Sequence, residues 1–160
     1  MKKTHDNFFE PSEQQLKSLL EHYKARRYID AEKLSLSITR EFPKHKLAWK
    51  VLAAVLKQNG KINESLIASQ KSIQLDPKDA EAHKNLGIIL QEKGRLKDSE
   101  ISFKKAITLE PKYLEAHGNL GNNLKLQGKF KDAEISFRQV IKLKPDFAEA
   151  HSNLGVLLQI

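Results

Sequence analysis

Residues 80–113, AEAHKNLGIILQEKGRLKDSEISFKKAITLEPKY, run without a break into residues 114–147, LEAHGNLGNNLKLQGKFKDAEISFRQVIKLKPDF. The two stretches are identical at 17 of 34 positions, among them EAH, NLG, KD, EIS, a phenylalanine and a proline. Pro43, Pro77, Pro111 and Pro145 carry the same period along the chain, each 34 residues from the next. A fixed period of this size is the mark of stacked supersecondary units. The 160 residues then divide into an extension at 1–11, repeats at 12–45, 46–79, 80–113 and 114–147, and a partial repeat at 148–160.

Each repeat reads as two helices. In the third, Ala82, Leu86, Ile89 and Leu90 recur at helical spacing, and Gly94 follows as a stop signal. Leu96, Ile101, Phe103, Ala106, Ile107 and Leu109 form a second periodic run. Pro111 closes it, because proline can neither donate a backbone hydrogen bond nor leave the preceding residue free to stay helical. Gly60, Gly94 and Gly128 hold the same place in successive repeats, where a left-handed residue ends one helix and reverses the chain. The first repeat has Arg26 at that place, and Ser12 with Gln15 predicts a capping box at its start. No strand pattern and no Gly/Ser linker interrupts the run. The expected fold class is all-α, a right-handed superhelical solenoid of antiparallel helix pairs.

These residues carry a resemblance to the tetratricopeptide repeat. The family's marks are a large residue at position 4, Leu-Gly at 7 and 8, a large residue at 11, Ala at 20, an aromatic at 24, Ala at 27 and Pro at 32. Here they stand as Trp49, His83, His117 and His151; Leu86-Gly87, Leu120-Gly121 and Leu154-Gly155; and Leu56, Leu90, Leu124 and Leu158. The second helices contribute Ala31, Ala133, Phe103, Phe137, Ala106 and the four prolines. The first two repeats depart most, with Gln15, Ser18, Ser35, Ser69 and Ser72 at marker positions. Those repeats are expected to pack more loosely, or the first to serve as a polar cap.

The resemblance implies a protein-interaction scaffold whose concave face, built from the first helix of each pair, takes an extended or helical peptide. Family positions 2, 5, 6, 9 and 12 place Lys50, Lys84, Asn85, Asn119, Asn122, Lys125 and Asn153 on that face as candidate peptide-binding residues. Asn85, Asn119 and Asn153 form a ladder at the repeat period, with rungs about 10 Å apart at ordinary helix-packing distances. A side-chain amide both donates and accepts, so it pairs with a peptide bond whatever residue bears it. The ladder resembles the groove of the O-linked N-acetylglucosamine transferases, whose repeat asparagines hold substrate backbone; the competing reading has the amides bonding only to neighbouring helices. Glu81, Glu115 and Glu149 form a second ladder beside it. Heat-shock co-chaperones of the same family grip a C-terminal carboxylate with lysine, asparagine and arginine. Ile88, Gly118 and Glu149 stand at three of those positions here, so that clamp is not expected.

Other chemistry is poorly supported. With no cysteine, disulfides, thiolate metal sites and cysteine nucleophiles are excluded. The chain has no HExxH, phosphate-binding glycine loop or nucleophile elbow, so no catalytic residue and no cofactor is assigned. His83, His117 and His151 come from separate repeats; at about 10 Å apart they cannot share one metal, whose ligands sit about 2 Å away. They are expected as packed core residues in the place of Trp49. The net charge of +8 is interspersed with acids, and the glutamate ladder faces where phosphates would run, so nucleic acid is disfavoured as a partner. No apolar stretch approaches the roughly 20 residues of a membrane span, and the opening MKKTHDNFFEP has no apolar signal core. The default compartment is the cytoplasm.

Two features stand apart. Asn123 occupies a position filled by Ile89 and Leu157 in the flanking repeats, which predicts a local polar network or a groove site, or else a weak point in the packing, with the network favoured. Leu154, Val156, Leu157, Leu158 and Ile160 cluster where a solenoid end needs polar residues. This suggests the front part of a longer protein, such as the substrate-recruiting arm of a glycosyltransferase- or sulfotransferase-like enzyme, or else self-association through the last helix.

Overall fold

The computed structural model describes residues 10–159; most of the 1–11 extension and Ile160 lie outside them. Among the described residues the chain is helical throughout, in the order α1 (Glu13–Lys24), α2 (Tyr28–Glu41), α3 (Lys46–Gln58), α4 (Ile62–Leu75), α5 (Ala80–Glu92), α6 (Leu96–Leu109), α7 (Leu114–Leu126), α8 (Phe130–Leu143) and α9 (Ala148–Leu157). The chain divides into two compact parts, one ending at Pro77 and one beginning at Lys78.

The helix boundaries follow from local chemistry. Ser12 caps α1 in a capping box: its hydroxyl accepts from the Gln15 amide at 3.2 Å and Gln15 Oε1 accepts from the Ser12 amide at 2.8 Å. Gly60, Gly94 and Gly128 end the first helices of their repeats at φ of 75°, 71° and 72°. Arg26 takes the same left-handed turn in the first repeat, at φ 57°.

In the N-terminal part the core runs from Leu19 through Ala31, Ile38, Val51, Val55 and Ala68. The serines expected to loosen it are inside it: Ser35, Ser69 and Ser72 are all buried. Ser35 donates to the Ala31 carbonyl at 2.7 Å, within its own helix. The expectation of looser packing is therefore corrected, because a small hydroxyl that bonds back to the backbone can be buried at modest cost.

In the C-terminal part Phe103, Leu120, Leu124, Ala133, Phe137 and Leu157 form the core. The Leu-Gly marker has a steric cause there. A Cβ on Gly87 would lie 2.5 Å from the Phe103 ring, and one on Gly121 would lie 2.7 Å from the Phe137 ring. Glycine lets each aromatic of a second helix rest on the first helix of its own pair. Position 20, where the family prefers alanine, holds Ser65 and Ser99 in two repeats. Each hydroxyl donates across the pair at 2.7 Å, to the carbonyls of Ala53 and Gly87.

Asn123 is fully buried and belongs to a polar network. Its amide donates to Gln91 Oε1 at 3.3 Å, and its carbonyl oxygen accepts from Gln127 Nε2 at 2.7 Å. At the C-terminal end the apolar residues divide. Leu157 is buried and Leu154 packs against the core, while Val156 and Leu158 are exposed.

Candidate peptide-binding groove

The first helices of the C-terminal part line a common cavity of about 300 Å³, α5 with its repeat positions 5 and 9, α7 with positions 2, 5, 6 and 9, and α9 with positions 2 and 6. Its lining combines apolar side chains, Ile88, Leu114, Val140 and Phe147 among them, with the polar Lys84, Glu115, Asn119, Asn122, Glu149 and Asn153. The second helix α8 supplies the floor, since Phe137 and Val140 are core residues whose outer edges reach the cavity.

The candidate residues separate clearly. Lys84, Asn119, Asn122 and Asn153 line the cavity, whereas Asn85 does not. Lys125 is not a lining residue; it donates to Asn153 Oδ1 at 2.8 Å, so this rung of the ladder bonds to a neighbouring helix. Asn119 stands on α7, the middle one of the three first helices, and makes no side-chain hydrogen bond among the described residues. Because no buried side-chain polar atom among the described residues lacks a partner, the Asn119 amide is open to solvent rather than stranded. Lys50 lies on α3 of the N-terminal part and is not a cavity residue.

The charge pattern is mixed. Lys84 Nζ sits 5.7 Å from the centre of the Tyr113 ring, a cation–π distance. Glu115 and Glu149 line the cavity from the first turns of α7 and α9, where the helix dipole favours a negative charge. The Tyr113 phenol is pushed up to about 12, first by burial and then by Glu81, Glu115, Glu110 and Asp79.

The histidines correct a second expectation. His83 and His117 are half-buried and His151 is exposed, so none is a core residue. His117 Nε2 lies 2.9 Å from the Pro111 carbonyl and His151 Nε2 lies 2.7 Å from that of Pro145. Trp49 Nε1 donates to the Pro43 carbonyl at 2.9 Å in the same way. A carbonyl only accepts, so each imidazole carries its proton on Nε2. The position ties the start of a helix to the proline turn six residues earlier, which keeps one edge of the ring wet. The tie was hidden in the sequence because Trp and His share a ring N–H that a size-based reading overlooks.

Among the described residues, no helix is long and apolar enough to cross a membrane.

Comparison with known proteins agrees with this architecture. Residues 121–159 match a family model described as TPR repeat, and residues 68–100 match one described as tetratricopeptide repeat. Comparison with curated proteins found no match. Among solved structures, the chain is similar to the MamA protein, with 19% identity and a TM-score of 0.83 over 91% of this chain and 79% of that one. It is similar to PilF of Pseudomonas aeruginosa at 19% identity and a TM-score of 0.83, covering 91% of this chain and 67% of that one. It is also similar to the first TPR of Spaghetti (RPAP3) bound to the HSP90 peptide SRMEEVD, at 21% identity and a TM-score of 0.70, covering 71% and 90%. The fold is therefore all-α and of the helix-pair repeat class, with about four and a half repeats. The two matched stretches are tetratricopeptide repeats.

Proposed function

We propose that the chain is a non-enzymatic interaction scaffold whose C-terminal part holds an extended segment of a partner protein in the groove of α5, α7 and α9. The observation that carries this reading is Asn119: a solvent-open amide in a cavity that it lines together with Asn122, Asn153 and the apolar Ile88, Leu114, Val140 and Phe147. An amide so placed can bond to a passing peptide group on both its N–H and C=O sides.

Magnitudes decide what such a ligand must provide. Hydrogen bonds to three asparagines contribute roughly 0.5–1.5 kcal/mol each, short of the about 8 kcal/mol of micromolar affinity. Burying one leucine-sized side chain adds roughly 1.5–3 kcal/mol, and an aromatic that buries 150–250 Å² adds about 4–6 kcal/mol at about 25 cal/mol per Å². Backbone pairing and side-chain burial are both required.

A peptide similar in kind to the SRMEEVD ligand of the RPAP3 domain is disfavoured. Glu115 and Glu149 line this cavity and would repel a run of carboxylates.

The test is capture of partners by the full chain and by an Asn85→Ala/Asn119→Ala/Asn153→Ala variant of equal helicity and melting temperature. Captured partners are then cut into overlapping synthetic segments and titrated against both proteins. A segment bound by the parent and lost by the variant supports the groove reading. Partners and segments bound equally by both would remove it.

A further inference from the structure

Gly118 breaks the pattern of its own repeat position. Lys50 and Lys84 stand there in earlier repeats and Ser152 in the next. Nothing in the packing asks for glycine: a Cβ at this place would meet only Val140 Cγ2, at 3.9 Å, an ordinary contact. Its backbone has no left-handed torsion, unlike Gly60, Gly94 and Gly128. It lies in the interior of α7, where glycine is less favourable than alanine. Gly87 and Gly121, by contrast, are held by the rings of Phe103 and Phe137. What Gly118 does is leave space. It lines the cavity with Ile88, Leu114, Val140 and Phe147, and a lysine side chain at this place, as in the two preceding repeats, would occupy it.

We infer that Gly118 keeps open an anchor pocket for one apolar side chain of a partner segment, and that a lysine or arginine next to that side chain pairs with Glu115 and Glu149. The inference rests on the groove reading above and deepens it. The lining residues that are buried outright, Phe137, Val140 and Ala150, are all apolar, so the anchor is a leucine, isoleucine, methionine or phenylalanine rather than a polar residue. Glu115 and Glu149 both line the cavity, and neither has an ion-pair partner among the described residues. Two carboxylates in one groove favour a nearby cation on the ligand. Asn119 lies one residue beyond Gly118 and is placed to hold the ligand backbone while the anchor enters.

The experiment is selection of random twelve-residue peptides displayed on phage against the full chain. Enriched peptides are resynthesised with a fluorescein label and titrated by anisotropy against the parent, Gly118→Leu, and Asn119→Ala/Asn153→Ala. Melting temperatures are measured for all three proteins. The expected peptides carry an apolar residue within two positions of a lysine or arginine. Gly118→Leu, filling the pocket from inside, weakens them at least about tenfold while melting no lower than the parent. Replacing the peptide's apolar residue with serine has the same effect on the parent. Peptides lost by the asparagine variant but bound equally by Gly118→Leu would overturn the anchor and leave the groove standing. Acidic residues enriched beside the apolar one would overturn the charge assignment. If no peptide is enriched, or all bind the three proteins alike, the groove reading falls and the anchor with it.

Discussion

Lys129 Nζ lies 2.7 Å from Oε2 of Glu100, and the same pairing recurs two repeats earlier between Lys61 Nζ and Glu32 Oε1 at 2.5 Å. In both places an amide completes the clasp: Asn59 donates to Glu32 at 2.7 Å and Gln127 to Glu100 at 3.0 Å. The amide and the lysine stand 27 and 29 residues after the glutamate each time. A carboxylate on the second helix of one repeat thus binds the turn of the next. Both glutamates are nearly buried, with side chains 12% and 13% exposed, so these pairs are less screened than ordinary surface pairs.

The clasp makes stability depend on pH. Hydrogen bonds from Lys104 and then Lys129 hold the Glu100 carboxyl at about 2, against the opposing effect of burial. A folded-state value below the unfolded one contributes stability that is complete above pH 4.5 and is lost as pH falls toward 2. Glu100→Gln is expected to cost about 1–2 kcal/mol at pH 7, a figure reduced because both lysines are about half exposed. In urea unfolding the gap between parent and variant should close between pH 4.5 and 2; a gap independent of pH would assign the loss to packing instead.

Asn123 is the second test of the polar interior. Truncating it to alanine leaves a fully buried site empty and takes one donor from the Gln91 amide oxygen and one acceptor from the Gln127 amide nitrogen. The expected cost is about 2–3 kcal/mol. Asn123→Leu, which restores the volume used by Leu157 in the next repeat, should cost less than about 1 kcal/mol, because Gln127 keeps Glu100 and the Leu96 carbonyl. Equal losses for the two variants would show that the amide, and not the filled space, carries the site.

The helix pairs were legible because period and marker residues are local and repeated. Pro111, Gly94 and the Leu86-Gly87 pair announce themselves at fixed offsets, and the helix ends fall where they predict. The clasp was not legible. Glu100, Gln127 and Lys129 are three polar residues in a chain with 30% charged residues, and only folding brings residues 27 and 29 apart to one carboxylate. The groove was half legible. Family positions pointed to Lys84, Asn119, Asn122 and Asn153, but Gly118 also lines the cavity, and a missing side chain leaves no pattern to read. Phe137, Val140 and Phe147 read as core and turn residues, and their part in the cavity depends on α8 and α9 meeting behind α7.

Gly118 and Gly121 sit one turn apart on α7 and should answer the same substitution with opposite signs. Gly121→Ala drives a methyl to 2.7 Å from the Phe137 ring, whose side chain is 1% exposed and has little room to move. Overpacking of this kind costs about 1–3 kcal/mol. Gly118→Ala adds a methyl against open space and gains about 0.5–1 kcal/mol of helix stability. Thermal melts of the two variants beside the parent decide the matter; a loss at Gly118 would mean that its place in α7 is tighter than the 3.9 Å approach to Val140 indicates.

Arg26 offers a stabilising change at the opposite end of the chain. Its φ of 57° is the left-handed turn that Gly60, Gly94 and Gly128 make in the later repeats. A side chain in that conformation costs roughly 1–2 kcal/mol through the clash of Cβ with the following carbonyl. Glycine removes the clash but has more freedom to lose on folding, which takes back about half of the gain. Arg26→Gly is therefore expected to raise stability by about 0.5–1 kcal/mol. The backbone bonds of the turn, Arg26 N to Tyr23 O at 3.1 Å and Arg27 N to His22 O at 2.9 Å, should persist. Arg27 holds His22 Nδ1 through its own Nε at 3.0 Å and is untouched by the exchange. Urea unfolding followed by circular dichroism reads the difference, and a destabilised variant would show that the Arg26 side chain makes contacts worth more than the strain it causes.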